Sequence, residues 1–313
     1  MSGSMASAWP RRPPLMAERL VAVTGASGRL GQALVAHMDP TSGLQPLAWG
    51  RPAFDLDDPA SGARLVERDR PSVVVHTAAW TDVDGCARQP ELAGRRNGHA
   101  VGALAVACAA RGADLILVST NEVFDGRRTD RRGYSIQDAP NPINPYGASK
   151  LEGETRARTA YDASSAAGRL AIVRTSWLFG PPGGDFPTKI LAAAETAGAT
   201  GQPLRVVDDE FGSPTSTSDL AVAIVALILS DVPPGIHHFV DTGIASRFEW
   251  ASLVLGLAGR SQAIEPVSSS SWSRASSPPA WGVLEPSPLA GGLAMPTWQA
   301  ATAVYVATLM TVR

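Results

Sequence analysis

Two cysteines in 313 residues, no long apolar run and almost no net charge exclude several classes of protein. Cys86 and Cys108 have neither disulfide-framework nor metal-ligand spacing. A reducing compartment therefore suits them better than a disulfide scaffold, no metal is expected, and both read as structural thiols. No stretch reaches the ~18 uninterrupted apolar residues of a spanning helix; the longest candidates, 220–229 and 300–310, are too short. The 27 Lys and Arg against 29 Asp and Glu leave a formal charge of −2, so no polyanion-binding surface is advertised and nucleic acid is not an expected partner. Residues 1–18 carry Pro10, Pro13 and Pro14 around two arginines, without the apolar stretch of a signal peptide, and read as a disordered tail. The expectation is a cytoplasmic protein with no membrane partner, and a homodimer stays open.

The chain does show alternation. Over the first 180 residues short β-branched runs at 20–23, 73–76, 115–119 and 171–174 alternate with alanine-rich helical runs at 31–37, 91–111 and 146–159. A weaker strand falls at 47–49. Continuous apolar strands separated by helices point to a parallel sheet buried on both faces. After Gly180 the texture turns to Pro- and Gly-rich loops, with helices at 187–196 and 219–229 and a strand at 236–240. The stretch 267–286 is rich in Ser and Pro, but its tryptophans, Trp272 and Trp281, and the final apolar helix suggest that it packs. The fold class expected is a Rossmann-like, doubly wound α/β sheet with a smaller C-terminal substrate-binding lobe. Residues 19–180 and about 216–242 would form the nucleotide-binding part, and 181–215 with 243–313 the lobe.

The first strand runs into Thr24-Gly25-Ala26-Ser27-Gly28-Arg29-Leu30-Gly31 and directly into a helical run. In such a turn one glycine permits the bend, one lets backbone N–H groups approach a pyrophosphate, and one allows close helix–strand packing. The spacing is Gly-x-x-Gly-x-x-Gly, not Gly-x-Gly-x-x-Gly, yet the strand before and helix after favour dinucleotide binding over a plain turn. Gly25, Ser27, Gly28, Arg29, Leu30 and Gly31 are the candidate cradle. The second strand ends in Trp49-Gly50-Arg51, with no acid until Asp55. Arg51 and Arg29 thus favour NADPH, with NADH as the alternative, unless both are solvated surface arginines. Asp55 and Leu56 are placed to line the adenine.

Further on stands Asn144-Pro145-Tyr146-Gly147-Ala148-Ser149-Lys150. Asn144 is a good helix cap and Pro145 suits the first helical position, so Tyr146 and Lys150 fall one turn apart on one helix face. An adjacent ammonium and the first helical turn would both push the phenol's pKa down. Thr120 follows the strand 115–119, where open α/β sheets place ligand-contacting groups, and its hydroxyl could align a carbonyl with a hydride donor. Tyr146, Lys150 and Thr120 are the catalytic candidates.

These residues resemble the extended short-chain dehydrogenase/reductases, and within them the dTDP-4-dehydrorhamnose reductase family, over about residues 19–310. The resemblance rests on Thr24–Gly31, Ala78-Ala79-Trp80-Thr81-Asp82-Val83-Asp84, and Ser119-Thr120-Asn121-Glu122-Val123-Phe124-Asp125-Gly126. It continues through Pro145–Lys150 with Gly153-Glu154, Arg174-Thr175-Ser176-Trp177, Gly212-Ser213-Pro214-Thr215 with Asp219-Leu220-Ala221, and Trp298. It implies reduction by NAD(P)H of the C4 ketone of a nucleotide-linked 4-keto-6-deoxyhexose, with the proton from Tyr146. It also implies Ala78, Ala79 and Asn97 along the cofactor, Lys150 on the nicotinamide ribose, and Trp80, Asn121, Glu122, Trp177, Asp185, Phe186 and Pro214 towards the substrate. Trp177 equally suits a core aromatic. Several positions depart from the family pattern. Asn121-Glu122 replaces an Asp-Tyr pair, Asp185-Phe186 an Asn-Phe pair and Asp209-Glu210 an Asp-Gln pair, and an arginine expected near Pro278-Pro279 is missing. All lie on the substrate side, so the identity of the sugar is the least determined part. A sugar-nucleotide epimerase or dehydratase that retains NAD, and a non-catalytic cofactor-binding regulatory subunit, are the alternatives.

Overall fold

The computed structural model describes residues 18–38, 43–166, 168–289 and 292–311, so the expected tail, apart from Glu18, lies outside the described residues. β1 (Arg19–Thr24) leads into α1 (Arg29–His37), β2 (Leu44–Trp49), α2 (Ala60–Asp69) and β3 (Val73–His76). Three helical pieces follow, α3 (Val83–Arg88), α4 (Pro90–Ala93) and α5 (Ala100–Ala110), then β4 (Asp114–Thr120), α6 (Pro145–Asp162) and β5 (Leu170–Thr175). The chain continues through β6 (Leu178–Phe179), α7 (Phe186–Thr200), β7 (Leu204–Val207), β8 (Phe211–Gly212), β9 (Thr215–Ser216), α8 (Thr217–Leu229) and β10 (Gly235–His238). It ends with β11 (Ala245–Ser246), α9 (Arg247–Leu257), β12 (Ile264–Val267) and α10 (Trp298–Thr311).

Six strands form one parallel sheet in the order β10-β5-β4-β3-β1-β2. Val73, Val74, Val75, Leu115 and Ile116 are fully buried because helices cover both faces, which is why these strands read as unbroken apolar runs. α1 and α8 cover one face and α2, α5 and α6 the other. β1 has β2 on one side and β3 on the other, so the strand order reverses there. The carboxyl ends of β1 and β3 consequently border a crevice, the place where such sheets take ligands.

Several elements differ from expectation. β2 starts earlier, at Leu44; it is an edge strand carrying Pro46, which a central strand would not tolerate, so its apolar signal is broken. α2 was not anticipated: its core contribution is little more than Leu65 and Val66 on an otherwise polar helix. The expected helix 91–111 is instead α4, a wide π-turn over Gly94–His99, and α5. Gly98 lies against the Glu152 side chain of α6, where a Cβ would come within 2.7 Å. The extra backbone of the turn aims Asn97 inward.

A buried ion pair ties α6 to β5. Arg174 donates to Glu154 at 3.0 and 2.7 Å, and the Ser119 hydroxyl donates to the same carboxylate at 2.5 Å. Beyond the sheet, α7, α9 and α10 pack around Phe179, Trp250 and Tyr305, bordered by the short pairs β6–β9, β8–β11 and β7–β12. α9 was not foreseen. The Ser- and Pro-rich stretch does pack: Trp281, Val283 and Leu284 are buried against Phe124 and Tyr134, and the Trp281 indole donates to the Arg132 carbonyl at 2.8 Å. Trp272 is half exposed. Both cysteines are free and buried. No helix among the described residues is long and apolar enough to cross a membrane.

Candidate active site

A cavity of about 650 Å³ opens at the carboxyl end of the sheet, with the glycine turn at one part of its wall and Thr120, Tyr146 and Lys150 at another. The turn is held by the Gly28 N–H donating to the Gly25 carbonyl at 2.8 Å. Gly25 has φ +63°, and a Cβ there would sit 2.9 Å from the Ala78 Cα. A Cβ on Gly31 would come within 2.3 Å of the Gly25 carbonyl oxygen, so α1 can approach β1 this closely only with glycine. The N-cap Gly28 contributes no side-chain acceptor and no acid stands in the first turn of α1. The first N–H groups of α1, not capped by it, are suited to an anion. A dinucleotide pyrophosphate therefore fits this cradle.

Beneath the turn, the Thr24 hydroxyl accepts from the Thr77 and Ala78 N–H groups at 3.2 Å and bonds His76 Nδ1 at 2.8 Å. That network fixes the Thr77–Ala79 wall, and sequence reasoning did not find it. Burial, and then the nearby Lys150 charge, push His76 down to about 3, so the ring is neutral. Arg51 and Leu56 also line the cavity. Arg51 is largely exposed, as a group waiting for a phosphate or merely solvated would be.

Several candidates lie off the wall or are engaged elsewhere. Asp55 points to Arg51, at 3.7 Å, and accepts from the Asp57 N–H. Arg29 lines the cavity, and its guanidinium donates to the Gly183 carbonyl at 3.0 Å and stands 4.0 Å from Asp185. It ties the start of α1 to the loop before α7, while Arg51, paired with Asp55, keeps most of its surface open. Asn97 is not on the cofactor wall either. Its amide is consumed by the Trp80 backbone and the Ser149 hydroxyl, so it braces the segment after β3 against α6. Trp80 carries Arg96 over its ring at 5.2 Å and does not reach the cavity. Asp185 is the N-cap of α7 in a capping box with Thr188, Phe186 stacks on Trp250 at 4.6 Å, and Pro214 is buried.

α6 begins as the sequence suggests, with the Asn144 side chain accepting from the Gly147 N–H at 2.8 Å and Pro145 at its first position. Tyr146 and Lys150 are both buried and both line the cavity. The Lys150 ammonium donates to the Val118 carbonyl at 2.8 Å. Burial draws its pKa down to about 8 against the opposing Glu154 charge. The expectation of a lowered Tyr146 pKa is corrected. Burial pushes it well above the ordinary phenol value, the Glu122 charge adds to this, and only the Thr120 hydroxyl opposes. Desolvation disfavours a phenolate in this site, so Tyr146 holds its proton.

On the remaining wall stand Asn121, Glu122, Trp177 and Arg247. Asn121 donates to the Gly282 carbonyl at 3.0 Å, and Glu122 accepts from Asn144 at 2.7 Å. Burial raises the pKa of Glu122, opposed by Asn144, Arg247 and Arg274. Trp177 has φ +47° and lies on Gly212, where a Cβ would be 2.6 Å from its ring. Arg247 was missed by the sequence reading. The one available signal was Ser246-x-x-Glu249, a capping box that marks a helix start at Arg247.

The family described as RmlD substrate binding domain matches residues 19–311. The dTDP-4-dehydrorhamnose reductase of Mycobacterium tuberculosis is 36% identical over 296 residues, covering 93% of each chain. The dTDP-4-keto-6-deoxy-D-glucose reductase of Streptomyces niveus is 36% identical over 239 residues, covering 76% of this chain and 78% of that one. Among solved structures, the dTDP-4-dehydrorhamnose reductase of Bacillus anthracis in complex with NADP superposes with a TM-score of 0.84 at 30% identity, covering 93% of this chain and 99% of that one.

Proposed function

Because the chain belongs to the RmlD substrate binding domain family, we propose that its cavity reduces the C4 ketone of a dTDP-linked 4-keto-6-deoxyhexose. The protein is an NAD(P)H-dependent oxidoreductase of deoxysugar biosynthesis, and its partner is the nucleotide sugar. The carrying observation is that Thr120, Tyr146 and Lys150 share one cavity with the uncapped glycine turn. The N–H groups at Gly28–Gly31 would hold the pyrophosphate, Arg51 the 2′-phosphate and Lys150 the nicotinamide ribose. NADPH is the preferred donor on the strength of Arg51 and of the NADP-bound relative, with NADH as the alternative. When bound, it supplies the hydride that C4 accepts.

The rest is done by side chains. Thr120 donates to the ketone oxygen and fixes its direction. Tyr146 starts neutral, because burial and Glu122 keep its proton on. As C4 is reduced its oxygen gains negative charge and takes that proton, leaving a phenolate that the Lys150 ammonium offsets. A residue that must give a proton at neutral pH is served by a raised pKa, so the site suits reduction. We assign residues 19–180 and about 216–242 to cofactor binding and 181–215 with 243–313 to the substrate, with the stretch around Trp281 returning to pack on Phe124 and Tyr134. A supply of reduced nicotinamide nucleotide would place the reaction in the cytoplasm.

The test is NADPH consumption with a panel of dTDP-linked 4-keto-6-deoxyhexoses, followed by product stereochemistry. Turnover with at least one is expected. Bound NAD that recycles without net NADPH consumption would overturn the reading.

A further inference from the structure

One cation on the cavity wall has no task in the reduction just described. Arg247 opens α9, and its guanidinium lies 3.5 Å from the centre of the Trp177 ring. Its side chain is three-quarters buried. The nearest acid, Glu210, stands 3.9 Å away, beyond hydrogen-bond length, and is shared with Arg274, which donates to it at 3.3 Å. Among the described residues the guanidinium finds no hydrogen-bond acceptor, and it faces the cavity. Burial pulls its pKa down to about 10, against the charges of Glu210 and Glu122, so it is still charged at neutral pH.

A guanidinium carries five N–H donors in a rigid fork that matches two oxygens of a phosphate. Leaving them unmade in a desolvated site is costly unless a ligand completes them. The Trp177 ring, fixed from below by Gly212, holds the plane of the fork. Glu210 orients the group without saturating it. The other phosphate cradle, at the glycine turn, lies with Ala78 and Arg51, whereas Arg247 lies with Trp177 and Glu122 on the side towards Thr120 and Tyr146.

We propose that Arg247 binds the diphosphate of the nucleotide sugar and is the residue through which the enzyme demands a nucleotide-linked substrate. This rests on the reductase reading above. The sugar ring has no anionic group of its own, and the diphosphate is the part of that substrate whose oxygens suit a bare fork. Arg247 is thus a specificity-determining residue that touches substrate away from the reacting carbon.

The experiment measures binding of dTDP, dTMP and thymidine to the NADP⁺-loaded enzyme by calorimetry, together with steady-state kinetics on the ketosugar. In wild type, dTDP should bind far better than thymidine. Arg247→Met, which keeps an apolar stem over Trp177, should lose roughly 10- to 100-fold in dTDP affinity, the scale of a charge-assisted bidentate contact. Thymidine and NADPH affinities should hold, and kcat/KM should fall mainly through KM. Arg247→Lys keeps the charge without the fork and should fall between the two, which also guards against a folding artefact in the Met variant. Wild-type dTDP affinity in Arg247→Met would overturn the inference and leave the reductase reading standing. An equal loss of NADPH affinity would also overturn it, moving Arg247 to the cofactor. A wild-type enzyme that neither binds dTDP nor oxidises NADPH with any ketosugar would remove the reductase reading and this inference with it.

Discussion

Gly31→Ala separates the role of the glycine turn from the stability of the fold. The new Cβ would lie 2.3 Å from the Gly25 carbonyl oxygen and 2.7 Å from the Ala26 Cα, against an ordinary contact of 3.4 Å or more. Both neighbours are backbone, so relief comes from moving the start of α1 away from β1 by roughly 1 Å, at an overpacking cost of about 1–3 kcal/mol. Alanine regains up to ~1 kcal/mol of helix propensity, so the melting temperature should fall by only a few degrees. The same shift carries the uncapped N–H groups of the first turn out of hydrogen-bond range of a pyrophosphate. Losing two charge-assisted bonds amounts to about 3 kcal/mol, or roughly 100-fold in Kd. NADPH fluorescence titration beside a thermal melt reads both effects. Gly256→Ala is the control: Gly256 lies on the exposed side of α9 with nothing within 4 Å of a Cβ, so this change should be neutral or stabilising by up to ~1 kcal/mol with no effect on cofactor. Unchanged NADPH affinity in a folded Gly31→Ala protein would refute the assignment of the turn.

Three further outcomes are expected. Arg174→Met strands the fully buried Glu154 carboxylate and should cost about 3–5 kcal/mol in denaturant unfolding; a loss under 1 kcal/mol would show that the pair is relaxed by water. Lys150 has a folded pKa near 8, below its ordinary 10.5. The unfolded chain therefore holds more protons between those values and the contribution of Lys150 to stability rises with pH across that window, while kcat/KM for the ketosugar should fall above pH about 8 as the ammonium is lost. A kcat/KM flat to pH 10 would speak against a charged Lys150 in the reaction. Arg51→Ala should weaken NADPH roughly 10- to 100-fold and leave NADH nearly untouched; equal losses for both would mean that Arg51 does not meet the 2′-phosphate.

Much of the framework can be read from local chemistry. Buried strands such as β3 and β4 need apolar residues on both faces, and α6 is announced by Asn144 and Pro145, so the sequence alone places Tyr146 and Lys150 on one helix face. β2 was blurred by Pro46 at the sheet edge, and α2 by a core stripe of two residues. The π-turn at Gly94–His99 follows from tight packing on Glu152 of α6, a long-range contact that no local pattern encodes. The site was legible where one segment carries it, as in Gly25–Gly31 and Tyr146–Lys150. It was misread where burial or a distant partner decides: the raised Tyr146 pKa, and Asn97 turned to Trp80. Arg247 was missed because only tertiary packing brings the start of α9 to Trp177.

The most direct measurement is single-turnover hydride transfer by Tyr146→Phe, with a dTDP-linked 4-keto-6-deoxyhexose and saturating NADPH. Loss of the phenol oxygen should leave NADPH affinity within about two-fold and slow reduction by roughly 10²–10⁴-fold, the scale of general-acid assistance. Reduction at the wild-type rate in a variant that binds both partners normally would contradict the account, because the proton would then come from elsewhere.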